Sequence, residues 1–198
     1  MAIYQIAPSP SLGIPEISFA SWRDGFTEEE IDKIVSIGDS LTIKSASVGP
    51  DSKVEEAVRS SKIGWINLTP ETNFIYDRIA FIARQLNGEF FNLDIWGFVE
   101  DFQYTIYDGK DDHYTWHLDR GGNATNAPRK LSLVIQLSDP SEYEGGDLEI
   151  FDAPVPTQVT KQKGLVVAFP SFILHRVTPV TKGIRKTLVV WLAGPQFK

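Results

Sequence analysis

The sequence predicts an α+β, mainly β protein, in which a helical N-terminal part buttresses a β barrel or sandwich. Up to Leu86, apolar residues recur at helical spacing behind recognisable caps. After Asn87-Gly88 the period changes to two, in short runs roughly eight to ten residues apart, as in barrels and sandwiches. Helices first and strands afterwards is the α+β order, not the alternation of a parallel α/β sheet. The 198 residues, 42% apolar and 23% charged, suit one domain with a sizeable core: 1–88 mainly helical, 89–198 the β core.

The first helix is announced by Thr27-Glu28-Glu29-Glu30, a capping box ahead of Ile31, Ile34 and Val35. Ser52-Lys53-Val54-Glu55 repeats the pattern more weakly before Ala57 and Val58. Thr69-Pro70 supplies an N-cap and a first-turn proline for a longer helix marked by Ile75, Ile79, Ile82 and Leu86, which Asn87-Gly88 should stop. Strands are expected at 90–97, 102–107, 114–119, 131–137, 147–151, 164–169, 174–179 and 185–192, punctuated by Gly145-Gly146, Pro170-Ser171 and Lys182-Gly183. Trp22 and Trp65 are expected in the core. Trp116 should face away from its neighbours in the site described next.

Composition removes several function classes. Nineteen Lys+Arg against 26 Asp+Glu give a formal net charge of -7, which disfavours nucleic acid and anionic lipid as partners. The absence of cysteine excludes disulfides, thiolate metal sites and cysteine nucleophiles. Residues 1–8 carry no basic and apolar leader pattern, and no apolar run approaches membrane-spanning length, so a cytoplasmic protein is expected.

With three histidines in the chain, any imidazole chemistry uses His113, His117 or His175. His117-Leu118-Asp119 places an imidazole and a carboxylate two apart on a strand, where the pleat sends both to one face. The segment HRVTPVTKGIR at 175–185 then offers His175 on one strand and Arg185 on the next, joined by a Thr-Lys-Gly turn. Two imidazoles and one carboxylate on one side of a metal, with other positions open, is the facial triad of non-haem Fe(II) sites. Such a centre uses a bidentate organic acid, and an arginine fork matches that acid's distal carboxylate. Two other readings stay open: a zinc or manganese enzyme without such an acid, and a non-catalytic ligand-binding barrel. His113, among Asp111 and Asp112, reads as a solvated loop residue.

His117-x-Asp119, His175 56 residues later and Arg185 ten beyond that resemble the 2-oxoglutarate-dependent Fe(II) oxygenases of the prolyl 4-hydroxylase-like superfamily. LSLVIQLSDPSEYEGG at 131–146 and the 175–185 segment are similar to bacterial PKHD-type hydroxylases, and the likeness covers about residues 104–191. The resemblance implies a double-stranded β-helix, or jelly roll, with His117, Asp119 and His175 as catalytic iron ligands. It implies Arg185 on the C5 carboxylate of 2-oxoglutarate, Tyr107 lining the same pocket and Trp191 as an aromatic wall. Gln136 stands where many relatives carry a second cosubstrate-binding tyrosine. Fe(II), 2-oxoglutarate and O2 are the implied cofactors, with ascorbate an accessory candidate, and a peptide or protein substrate hydroxylated at a residue such as proline. The loop at 120–129, RGGNATNAPR, is expected to order over that substrate.

Overall fold

The computed structural model describes residues 17–46, 55–121 and 128–196. Helix α1 (Glu28–Ser40) begins as its capping box dictates: the Thr27 hydroxyl accepts from the Glu30 amide, and the Glu30 carboxylate accepts from the Thr27 amide. Helix α2 (Asn73–Leu86) begins later than its sequence signal suggests. Its N-cap is Thr72, while Thr69 and Thr72 exchange side-chain and backbone hydrogen bonds in the turn before it. Nor does Asn87-Gly88 stop the chain from winding. One wider π turn, Asn87–Phe91, follows and ends at Asn92, whose φ is 48°. The strand expected at 90–97 is therefore an irregular segment in which Asn87 brackets Leu93, donating to its carbonyl and accepting from its amide.

The strands are β1 (Ala20–Trp22), β2 (Lys44–Ser45), β3 (Arg59–Ser60), β4 (Lys62–Ile66), β5 (Gly97–Phe98), β6 (Phe102–Asp108), β7 (Asp112–His117), β8 (Arg129–Gln136), β9 (Tyr143–Gly145), β10 (Leu148–Ile150), β11 (Thr157–Gln158), β12 (Val166–Pro170) and β13 (His175–Ala193). Four of them lie in the part expected to be mainly helical. They are two to five residues long, too short to display a period of two. The weak helix signal around Ser52 falls partly outside the described residues, and 56–58 form a turn.

All pairings are antiparallel, and they form two layers. The larger runs β1-β12-β8-β13-β6-β4-β2. In the smaller, β10 and β7 flank the first half of β13, β11 extends β10, β3 extends β7, and β9 joins β13 near its middle. This is the jelly-roll arrangement, and it is mainly β as expected. The larger layer is buried on both faces. Leu133, Ile135, Leu188 and Val190 pack with Ile34, Ile75, Ile79, Ile82 and Leu86 of the helices, each buried side chain contributing about 2 kcal/mol. Val134, Val167 and Phe169, one residue out of phase, meet Leu148 and Ile150 of the other layer. Tyr104 touches α1 where Gly38 leaves room for it, and its hydroxyl donates to Asp39 at 2.8 Å.

Strand β13 corrects one expectation with consequences for the site. His175 and Arg185 do not lie on two strands joined by a Thr-Lys-Gly turn; they lie on one 19-residue strand. Its partners change from β9 at Lys182 and Gly183 to β6 at Ile184. Gly183 has φ 74°, and a Cβ there would stand 1.9 Å from the Glu142 carbonyl oxygen. Gly183→Ala should therefore destabilise the protein by more than about 2 kcal/mol in urea melts, through both strain and collision. A parent-like midpoint would show that the strand can pass between layers without a glycine.

Candidate metal centre

His117 closes β7, and His175 opens β13 directly opposite it, so the register alone brings the two imidazoles together, ring centroids 4.1 Å apart. Asp119 lies in a bend just beyond β7, not in the strand as expected, and its carboxylate reaches both rings: Oδ1 is 3.6 Å from His117 Nε2 and Oδ2 3.6 Å from His175 Nε2. Among the described residues these three form the one group of His, Asp and Glu side chains whose ligating atoms converge, within 4.8 Å of one another.

The far nitrogen of each ring decides what those near atoms are. His117 Nδ1 lies 2.8 Å from the Thr115 carbonyl oxygen, and His175 Nδ1 2.9 Å from that of Ile173. A carbonyl only accepts, so each Nδ1 carries the hydrogen and each Nε2 presents a lone pair. Two lone pairs and a carboxylate thus face one another beyond hydrogen-bond reach, and Asp119 Oδ2 is buried without a hydrogen-bond partner. The donor set fits a divalent transition metal held by two neutral imidazoles and one carboxylate.

The electrostatics agree. Burial, then the neighbouring His117, lower the His175 pKa from 6.5 to about 4 against the pull of Asp119, so His175 is neutral at neutral pH. Burial alone would raise the Asp119 carboxyl, but His175, His117 and a hydrogen bond from Ser132 outweigh it and hold it below the usual carboxylate range. Ser132 is in turn fixed by Ser171 at 2.9 Å.

Ten residues along β13, Arg185 is 1% exposed and pairs in register with Tyr107 of β6. Its Nη2 donates to Gln136 Oε1 at 3.1 Å, its guanidinium carbon lies 5.3 Å from the Tyr107 ring centroid, and its Nε has no hydrogen-bond partner. Gly146, at φ 63°, abuts this side chain; a Cβ there would lie 2.9 Å from Arg185 Cδ. Lys186 faces the other way and pairs with Asp39. The buried cluster Tyr107, Tyr143, Val177 and Val180, with Tyr114 packed against it, connects Arg185 to the metal centre, because Tyr114 stacks on His117.

Trp191, also inward-facing on β13, pairs with Ser132 and lies under the Arg129 guanidinium, 3.7 Å from its carbon, beside Trp65. Trp65 is 38% exposed and so not the core residue expected. Ile66, not Trp65, points to the helices, which leaves Trp65 beside Trp191. Trp116 does face away from the ligands, against Phe151 and Arg176. His113 lies in β7, hydrogen-bonded to the Asp111 carbonyl and apart from the triad. Most of the expected substrate loop, 122–127, lies outside the described residues.

Several residues at the site gave no sequence signal. Arg129 is bonded by Glu100 through Nε and Nη2 and donates from Nη1 to the Asp119 carbonyl, which anchors the chain after the triad carboxylate. The sequence reading put Arg129 at the end of the loop 120–129, whereas it opens β8.

Comparison with known proteins follows the same residues. Residues 102–193, which hold all three converging side chains, Arg185 and Trp191, match the model of the 2OG-Fe(II) oxygenase superfamily. Within these residues the chain is similar to the 2OG-Fe(II) oxygenases. It is similar to PKHD-type hydroxylases: 33% identical over 113 residues to one from Nitrosomonas europaea, covering 54% of this chain and 50% of that protein, and 39% identical over 87 residues to one from Hyphomonas neptunium, covering 42% and 39%. The chain thus spans about half or less of the length of these curated relatives. The likeness in fold extends further along the chain. A Pseudomonas putida prolyl-4-hydroxylase superposes with TM-score 0.72 at 19% identity over 90% of this chain and 94% of that one. A Trichoplax adhaerens prolyl hydroxylase superposes with TM-score 0.74 at 16% identity over 89% and 83%.

His175 gives the centre a stability signature. Its folded pKa lies below its unfolded value, so the unfolded chain binds a proton first on acidification, and stability present above pH 6.5 is lost as pH falls towards 4. Between pH 7.5 and 4.5 the metal-free parent should lose about 2–3 kcal/mol more than His175→Gln in urea melts. Equal losses would mean that His175 is not held neutral by the fold.

Proposed function

We propose that the chain is an Fe(II)- and 2-oxoglutarate-dependent dioxygenase that hydroxylates a C–H bond of a peptidyl residue, proline first, with succinate and CO2 as coproducts. Arg185 carries this reading. A guanidinium that is 1% exposed, with one N–H unpaired and, among the described residues, only the neutral Gln136 as a side-chain hydrogen-bond partner, is costly to bury unless a counter-charge joins it. That counter-charge arrives with a ligand whose other end belongs at the metal centre. A hydrolytic zinc or manganese site has no use for such an anchor, whereas the distal carboxylate of 2-oxoglutarate matches its geometry and charge.

Each residue then has a task. His117, Asp119 and His175 hold Fe(II), with Ser132 orienting the carboxylate. Arg185 receives the distal carboxylate; the Gln136 carbonyl oxygen already accepts from Arg185, which leaves its amide N–H groups as further donors to the same carboxylate. Tyr107 walls the pocket, and Trp191 and Trp65 flank the cleft. When bound, the metal and 2-oxoglutarate together supply the activation of O2 and the oxidising power. The protein supplies ligands, orientation and a pocket with little water. A peptide substrate is supported by the Trichoplax adhaerens neighbour, described in complex with a peptide fragment of hypoxia inducible factor. Ascorbate belongs to the proposal as the reductant that keeps the iron ferrous. The cytoplasm, reducing and supplied with 2-oxoglutarate, is the compartment that suits it. No helix among the described residues is long and apolar enough to cross a membrane. The whole chain, helices included, is read as one oxygenase domain.

Succinate release from 2-oxoglutarate under air, measured against a panel of proline-containing peptides, tests this function; mass spectrometry of the peptides should show the gain of one oxygen. Arg185→Ala should weaken 2-oxoglutarate binding by about 10- to 100-fold while leaving metal affinity near that of the parent. An unchanged 2-oxoglutarate dissociation constant in that variant would overturn the assignment of Arg185.

A further inference from the structure

We infer that Arg59 is a positioning residue for the metal centre: through the Tyr114 ring it fixes the plane of the His117 imidazole. This rests on the reading of His117 as a metal ligand.

The two ligating histidines are held differently. His175 is wedged in the interior between His117 and Phe169, with ring centroids 4.1 and 4.5 Å away. His117 ends a strand whose outer neighbour, among the described residues, is the two-residue β3. Its Nδ1 hydrogen bond sets the tautomer, but one bond leaves the ring free to rock. What confines it is Tyr114, stacked on the imidazole at 3.4 Å between centroids and 14° between planes. Strict alternation along β7 would put residues 114 and 117 on opposite faces. A register shift prevents this: His117 opposes His175 and Tyr114 opposes Val177, three residues of β7 against two of β13.

Tyr114 is braced in turn. With the imidazole covering one face of the phenol, the other is left for Arg59, whose guanidinium carbon lies 4.6 Å from the ring centroid. The guanidinium is itself locked, Nε donating to Ser61 Oγ at 2.9 Å and Nη2 to Gln103 Oε1 at 2.7 Å, with Thr105 Oγ1 on the same oxygen. Arg59 is buried, and among the described residues no carboxylate lies within ion-pair distance of it. A methionine or leucine would occupy this position at lower desolvation cost. A cation held by a fixed fork does what an aliphatic side chain does not: it attracts the ring electrostatically from a fixed position. Burial pushes the Tyr114 hydroxyl up to about 12, against Arg59 and with Asp119, so the ring remains a neutral phenol.

The test is Co(II) titration of the metal-free protein, following the dissociation constant and the visible ligand-field spectrum, beside the melting temperature without metal. Arg59→Met and Arg59→Lys should each weaken Co(II) by about tenfold and alter the spectrum, with no parallel fall in melting temperature. Tyr114→Leu should do the same, Tyr114→Phe should resemble the parent, and Arg59→Met added to Tyr114→Leu should cost nothing more. If Arg59→Met does not fold, Arg59→Lys carries the comparison. Parent-like Co(II) affinity in Arg59→Met, rescue by lysine, or additive losses in the double variant would each overturn the inference while leaving the metal reading intact. A parent protein that binds no Co(II) would overturn both.

Discussion

Everything at the site depends on one strand belonging to both layers. β13 enters the smaller layer at His175, crosses at Gly183, and continues through the larger layer to Ala193. That path puts an imidazole of the converging triad, a buried guanidinium and Trp191 on one continuous backbone, with spacings fixed by strand geometry. The helices contribute by covering the outer face of the larger layer. They leave its inner face, with Arg185, Thr187, Trp191, Ser132 and Gln136, to meet the other layer.

The charges placed inside follow a common logic. Asp119 faces two lone pairs, Arg185 faces a neutral amide, and Arg59 faces a ring and two neutral oxygens. Arg129, by contrast, has its charge matched by Glu100. Unmatched buried charges are costly in the empty protein, and each cost is offset when a group of opposite sign binds or when the charge orients a neighbour. Under the proposed function a metal cation would answer Asp119 and a dicarboxylate would answer Arg185. Among the described residues no carboxylate pairs with Arg59, and its role is sought in the ring it covers.

The sequence made the long-range parts of this site legible through residue type and spacing, because His117, Asp119, His175 and Arg185 are rare chemical types set within a resemblance to known oxygenases. Helices were readable from their apolar period and, for α1, from a capping box that the structure reproduces. Failures came where period carries no information. Strands of two or three residues do not show alternation, so β1 to β3 were hidden. The 175–185 segment read as two strands because Gly183 signals a turn and a bend alike; only the collision with the Glu142 carbonyl shows which is required. Tyr114 was hidden by the register shift in β7, which reverses the face its number implies, and Arg59 by its distance in sequence from Gln103 and Tyr114.

The central claim is that one divalent metal and one 2-oxoglutarate meet at His117, Asp119 and His175. Its most direct test is an anaerobic titration of 2-oxoglutarate into the Fe(II)-loaded protein, followed by visible absorption. A keto acid chelating ferrous iron through its carboxylate and carbonyl gives a metal-to-ligand charge-transfer band, which neither component gives alone. The account predicts that the band saturates at one 2-oxoglutarate per chain and is absent from Asp119→Ala. No band in the parent, or an undiminished band in Asp119→Ala, would contradict it.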